Sequence, residues 1–215
     1  LLKLALTMPA PSDPAKTAEL ATIAAGIEAK YGEGKYCPPG KSGAECLDLE
    51  ELSDIIDNPK KSPQERLEAW TAWHNIGRGI RSDYQRFVEL SNEGARELGY
   101  KDTGAMWRSK YDMPPDAFAQ EVDRLWNQVK PLYDSLHCFV RGKLVDKYGP
   151  KVVDPRGPIP AHLLGNMWAQ EWGNLYPELA PKNADPGYDL TKQLQAKKLD
   201  ARGIAGACVS AVSAR

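Results

Sequence analysis

Two stretches of this chain hold a helical spacing of apolar residues for too long to fit inside a small bundle. After Ser62-Pro63-Gln64-Glu65, the residues Leu67, Trp70, Trp73, Ile80, Tyr84, Phe87, Val88, Ala95 and Leu98 recur at threes and fours up to Gly99. The serine is a cap acceptor, the proline opens the first turn, and the glutamate can reach back to the cap amide. A single helix of roughly 35 residues is predicted, about 50 Å long at a rise of 1.5 Å per residue. A second begins near Pro115-Asp116 and carries Phe118, Val122, Leu125, Val129, Leu132, Leu136, Val140 and Leu144 to Tyr148-Gly149. Pro131 lies inside it and is expected to bend it. Helices of this length point to a large helical protein, and the fold class read from them is all-α, with long antiparallel helices.

Shorter elements fill the rest. Ser12-Asp13-Pro14 starts a helix that runs to about Lys30, with Leu20, Ile23, Ala24 and Ile27 as its apolar stripe. Residues 47–56 read as a short helix stopped by Asn58-Pro59. Trp107 sits on a short helix between the two long ones. Residues 159–175, IPAHLLGNMWAQEWGNL, are expected to form a buried helix, and residues 191–199 a last amphipathic stretch. From Arg202 the chain reads RGIAGACVSAVSAR, small-residue biased and without aromatics, capping logic or a helical stripe.

Composition closes several classes. With 28 Lys+Arg against 29 Asp+Glu the formal net charge is -1, so no global field recruits nucleic acid or an anionic membrane. No run approaches the roughly 20 apolar residues that span a bilayer. The opening LLKLALTM lacks a basic n-region and a small-residue cleavage site, and reads as the tail of a helix, not a signal peptide. Cys37 and Cys46 bracket a polar Pro/Gly loop, PPGKSGAE, which suits either a small disulfide loop or two unrelated exposed thiols. Cys138 is expected to be a buried free thiol.

Catalytic constellations are sparse. The sequence contains no HExxH, no GxSxG and no phosphate-binding glycine loop. His74, His137 and His162 lie on three separate segments and read as hydrogen-bonded core residues, not metal ligands. No catalytic and no metal-binding residue is assigned. In Trp107-Arg108-Ser109-Lys110-Tyr111, a buried Arg108 would need a carboxylate or a small anion, whereas a surface Arg108 would merely snorkel. Tyr148 could donate its phenol or simply pack.

Four blocks then match something specific: GPIPAHLLGNMWAQEW at 157–172, ARELGYKDTGAMWRSKYD at 95–112, PLYDSLHCFVRGKLVDKYG at 131–149, and the cysteine pair in KYCPPGKSGAECLDLE. Together they resemble the angiotensin-converting-enzyme family of zinc peptidyl-dipeptidases, from about Leu2 to about Ala201. The resemblance implies one part of a large, two-halved helical metallopeptidase with a central groove, acting on oligopeptides and releasing C-terminal dipeptides. It implies zinc and chloride as cofactors of the parent family, neither fully bound by this chain, because the family's HExxH lies C-terminal to the matched region. It places Arg108 and Tyr148 at two incomplete chloride sites and Cys37–Cys46 in a disulfide loop. A periplasmic or secreted location follows. Residues 1–201 are expected to be the N-terminal portion of a peptidase domain, and 202–215 an unrelated tail produced by a shifted reading frame. Alone, such a chain is expected to be inactive and to leave apolar surface open around Leu164, Met167, Trp168 and Trp172.

Overall fold

A computed structural model describes residues 6–181, 183 and 187–206. The chain divides into two units, Leu1–Leu179 and Ala180–Arg215. Helix α1, Pro14–Gly32, starts where expected: the Asp13 carboxylate accepts from the amide of Ala15 at 2.8 Å and Pro14 opens the first turn. Helix α2, Leu49–Asp57, has a full capping box of Asp48 and Glu51 that the sequence reading missed, and ends at Asn58 before Pro59. Ser62 and Glu65 form the second capping box, at the head of α3, Pro63–Arg78.

The first long helix of the sequence reading is two helices. α3 stops at Arg78, and α4 runs over Arg81–Glu97. At the break, the amide of Gly79 bonds the carbonyl of Ile76 and that of Ile80 bonds Gly77, a tightening to i−3 partners. Gly77 and Gly79 flank Arg78 and lower helix propensity by about 1 kcal/mol each, enough to let the axis change. The break allows two pairings: α3 packs on α2, and α4 packs on α1. Lys16–Glu93, Glu19–Arg86 and Lys30–Asp83 connect α1 to α4 at 2.6, 2.8 and 2.5 Å. Since the α1 numbers rise as those of α4 fall, the two helices are antiparallel. These exposed pairs report register more than stability.

Helix α5, Thr103–Arg108, is capped by Asp102 and packs on the long helix α6, Pro115–Tyr148. The chain stays helical through Pro131. The carbonyl left without its amide partner belongs to Asn127, an exposed residue, so water can satisfy it. Only Val140 and Leu144 of α6 are buried. Val122, Leu125, Trp126, Val129, Leu132, Tyr133, Leu136 and Phe139 all stand 43–75% exposed.

Residues 159–175 are buried in part: Ile159, His162, Leu163, Leu164, Gly165, Met167 and Leu175 are buried, whereas Trp168, Gln170, Glu171, Gly173 and Asn174 are exposed, and the segment is not a helix. They form two short 3-10 turns, Ala161–Leu163 and Gly173–Leu175, joined by a tight loop. Pro158 and Pro160 deny the entry its amides. Asn166 then organises the loop: its side-chain oxygen accepts from the amides of Trp168 and Gln170, and its own amide donates to the carbonyl of Glu171 at 3.2 Å. Gly165 has φ +80° and Ala169 φ +54°, both left-handed and incompatible with a helix. Leu163 and Leu164 join Val140, Leu144, Val153, Ile159 and Leu175 in one core, while Met167 inserts into a second with Leu52, Ile56, Ala69, Ala72 and Trp73. The segment therefore belongs to both cores. Of the residues expected to leave apolar surface open, Leu164 and Met167 are 5% and 0% exposed and Trp172 is partly buried, but Trp168 stands 47% exposed; a larger uncovered apolar face lies on α6.

A four-residue helix, α7, Tyr176–Leu179, closes the first unit. In the second, α8 spans Leu190–Ala196 under an Asp189 cap. Residues 201–206 are helical too, with the amide of Gly203 on the Asp200 carboxylate at 2.8 Å. The tail thus begins with a capped turn, where the sequence suggested none. Most of the expected helix remnant at Leu1 to Met8, and residues 207–215 of the tail, lie outside the described residues. Among the described residues the β-structure is a single bridge, Tyr36 to Leu47, at the neck of the cysteine loop. No helix among them is long and apolar enough to cross a membrane.

Candidate functional site

Arg108 ends α5, and the α5 turn is fixed from both sides. Asp102 accepts from the amide of Ala105 at 2.6 Å at its start, and the Ser109 hydroxyl donates to the carbonyl of Met106 at 2.7 Å at its end. Trp107, half-exposed, donates its indole N–H to the carbonyl of Thr7 at 2.7 Å. Arg108 itself is partly buried, and its Nε is buried without a hydrogen-bond partner. Its guanidinium lies back over Gly104, where a Cβ would stand 3.2 Å from Nη1. Among the described residues Arg108 forms no ion pair. Burying a guanidinium N–H without an acceptor costs free energy.

Tyr148 is the last residue of α6 and is partly buried against the core of Val140, Leu144 and Leu163. Beside it Lys147 places its ammonium 4.8 Å from the centre of the phenol ring and 2.5 Å from Glu178. Burial opposes the charge on Lys147, but Glu178 and the Tyr148 hydroxyl outweigh it and hold the ammonium above its ordinary range. Tyr111 stacks on Phe118 at 4.0 Å, fixing the α5 end of the chain to the start of α6. With 34 residues between its termini, α6 sets Arg108 and Tyr148 at opposite ends of about 50 Å of helix. They cannot share one ion.

The three histidines are separate. His74 stacks on Trp70 at 3.9 Å and shares a hydrogen of Nδ1 with the carbonyl of Trp70 at 2.7 Å. His137 lies between Tyr133 and Trp172, at 4.3 and 4.9 Å, with Nε2 buried and unpartnered. His162 is 8% exposed. Among the described residues no three His, Cys, Asp or Glu side chains converge as a metal site. These residues do not fit a zinc ion, and no chemical step is derived through one.

The structure joins Cys37 to Cys46 across a separation of 9 residues, closing the Pro/Gly loop that the bridge at Tyr36 and Leu47 necks. Cys138 is a free thiol but exposed, correcting the expectation that it is buried. It sits on the uncovered side of α6, so the apolar run around it does not imply burial.

Sequence reasoning overlooked one charged feature. Arg66, 5% exposed on α3, donates from Nη2 to the carbonyl of Asn58 at 2.8 Å, and its Nε has no partner. The clue was available, since Arg66 falls on the same helical face as Ala69 and Trp73.

With this geometry in place, similarity to known proteins is direct. The family described as "Angiotensin-converting enzyme" matches residues 1–208. Pig angiotensin-converting enzyme is 41% identical over 186 residues, covering 86% of this chain and 14% of that protein. The rat enzyme is 44% identical over 169 residues, 78% of this chain and 13% of its own length. A mouse angiotensin-converting enzyme-like protein, Ace3, is 41% identical over 164 residues, 73% of this chain and 22% of its own. The chain thus spans 13–22% of the length of each of these relatives. Family membership needs no such completeness, and this chain belongs to the angiotensin-converting enzyme family.

Proposed function

We propose that this chain is the N-terminal portion of a zinc peptidyl-dipeptidase domain, over residues 1–201, which contributes helices and one groove wall to an enzyme releasing C-terminal dipeptides from oligopeptides. The observation that carries this reading is the family match over 1–208 together with identities of 41–44%. The chain holds no HExxH, so by itself it does not hydrolyse peptides. Arg108 and Tyr148 contribute to two separate chloride sites whose other partners lie elsewhere in a complete domain. The unpartnered Nε of Arg108 and the cationic neighbourhood of Tyr148 support that role. Residues 202–215 are read as a frame-shifted tail, although the family match runs on to residue 208, and reading the parent DNA in the other frames past codon 201 tests this. A periplasmic or secreted location is supported by the Cys37–Cys46 bridge.

The test of function is turnover of a blocked tripeptide by the purified 215-residue chain, with and without added zinc. No turnover is expected, and chelator-sensitive hydrolysis would overturn the reading. A second reading, a non-catalytic helical module that holds peptides or a partner, is favoured by the uncovered apolar face of α6. It requires weak, zinc-independent peptide binding, and isothermal titration without heat for any peptide would remove it.

A further inference from the structure

Along α6 the apolar residues Val122, Leu125, Val129, Leu132, Leu136 and Phe139 follow a spacing of three, four, three, four and three. That is the a/d repeat of a coiled coil, with Val122, Val129 and Leu136 at a and Leu125, Leu132 and Phe139 at d. All six stand 46–75% exposed. Residues 122–136 are exposed without a break, and a helix with no packed face is marginal in water.

The chain's own core does not use this stripe. Where that core reaches α6 it takes Val140 and Leu144, 0% and 1% exposed, while Leu136 and Phe139 beside them remain 46% and 49% exposed. Asp123, Arg124, Asn127, Lys130 and Asp134 occupy the other faces, and Pro131 and Cys138 lie at c, on the far side from the stripe.

We propose that the stripe pairs with that of a second copy of this chain, antiparallel, about a twofold axis between Lys130 and Pro131. The pairing rests on the reading that the α6 face holds a partner, and gives that partner an identity. In this register Val122 meets Phe139, Leu125 meets Leu136 and Val129 meets Leu132, each twice. Valine is set against a larger side chain in every layer that contains it, which keeps the layers even in volume.

The edges agree. On one, Trp126 and Tyr133, 5.3 Å apart within a chain, come beside Tyr133 and Trp126 of the second copy. On the other lie the uncharged Gln128 and Ser135. A parallel pair would instead set Lys143, the next a residue, against Lys143 of the second copy. Antiparallel, it faces Phe118, and it already lies 5.6 Å from the centre of its own Phe139 ring. With their printed exposures, the six stripe residues, Trp126 and Tyr133 offer roughly 800 Å² per copy, what a standard specific interface takes from each partner.

Sedimentation equilibrium of the full chain tests the pairing. The chain should be dimeric at about 100 µM and dissociate toward monomer near 1 µM. Leu132→Glu sets a carboxylate into both central layers and should weaken the dimer at least about hundredfold. Leu132 is 75% exposed in the single chain, so the fold should persist, as far-UV circular dichroism would show; if it does not, Val129→Lys carries the same test. Cys138→Ser, on the far side, should leave the dimer unchanged. With Cys138 and Cys208 replaced by serine, a mixture of Val129→Cys and Leu132→Cys chains should oxidise to the mixed disulfide in excess over the two symmetric ones. The proposal is overturned by a parent that stays monomeric or forms larger aggregates at the higher concentration. It is equally overturned by a dimer that survives Leu132→Glu or is lost in Cys138→Ser, or by an excess of symmetric disulfides. A monomer that still gives heat with peptides removes the second copy and keeps the partner reading; a monomer without heat removes both.

Discussion

Placing a methyl group at Gly165 should do more damage than truncating most core side chains. Its φ of +80° is left-handed, which costs a residue with a Cβ about 1–2 kcal/mol. The added atom would stand 1.8 Å from the carbonyl oxygen of Glu171, 2.7 Å from its carbon and 3.1 Å from Cα of Trp172. All three are backbone atoms, so no side chain can rotate away, and the loop must open. Opening breaks the bond from the Asn166 amide to Glu171 and disturbs Met167 in one core and Leu164 in the other. Adding a typical overpacking cost of about 1–3 kcal/mol gives about 2–5 kcal/mol for Gly165→Ala. The control is Gly142→Ala in α6, where the new methyl meets nothing within 4 Å. That change should stabilise by about 0.5–1 kcal/mol. Urea denaturation followed by far-UV circular dichroism measures both. If Gly165→Ala costs less than about 1 kcal/mol, or both variants shift the same way, the account of the loop as a close backbone crossing is wrong.

Leu144→Ala, at a position 1% exposed in the core under α6, should cost about 2–4 kcal/mol by the same denaturation, and a loss below 1 kcal/mol would mean that this core collapses around the cavity. Ser62→Ala removes the acceptor for the Glu65 amide and should cost about 1 kcal/mol. In the parent, Lys61 first and the Ser62 amide and hydroxyl after it hold the Glu65 carboxyl at about 2; the contribution of the exposed box is present above pH 4.5 and fades as pH falls toward 2. Native-state alkylation followed by peptide mapping should modify Cys138 readily and leave Cys37 and Cys46 untouched until reduction. A Cys138 that resists reagent until denaturant is added would return it to the buried class.

Helix starts were the most legible part of the chain, because a cap is local chemistry: Asp13-Pro14 and Ser62-Pro63 open helices where the sequence placed them. The division at Gly79 was harder to see. The apolar spacing continues across it, and what separates α3 from α4 is that each serves a different partner, a tertiary fact. Burial of the apolar residues up to Met167 was readable from composition but the conformation of 159–175 was not, since Asn166 and two left-handed residues outweigh the apolar spacing. Cys138 shows the reverse error: hydrophobic neighbours signalled a face, not whether anything covers it. Of the candidate site, Arg108 and Tyr148 stood out from their sequence context with more than one reading each, and only the resemblance gave them an expected role. The unpartnered Nε of Arg108 and the ammonium against Tyr148 depend on neighbours distant in sequence or on rotamers that spacing does not encode.

The long helix α6 has a consequence for motion. Its two buried residues, Val140 and Leu144, lie in its last third, and Pro131 removes an internal bond at its middle. Tertiary contact anchors the helix mainly at the Tyr148 end, while the turns from Val122 to Leu136 rest on local hydrogen bonds in water. Helix–coil opening there needs no rupture of a core and falls on the submicrosecond scale of isolated helices, whereas the last turns open only with the core they share with Leu163. One continuous helix thus contains two clocks, fast in the exposed turns from Val122 to Leu136 and slow beyond Val140.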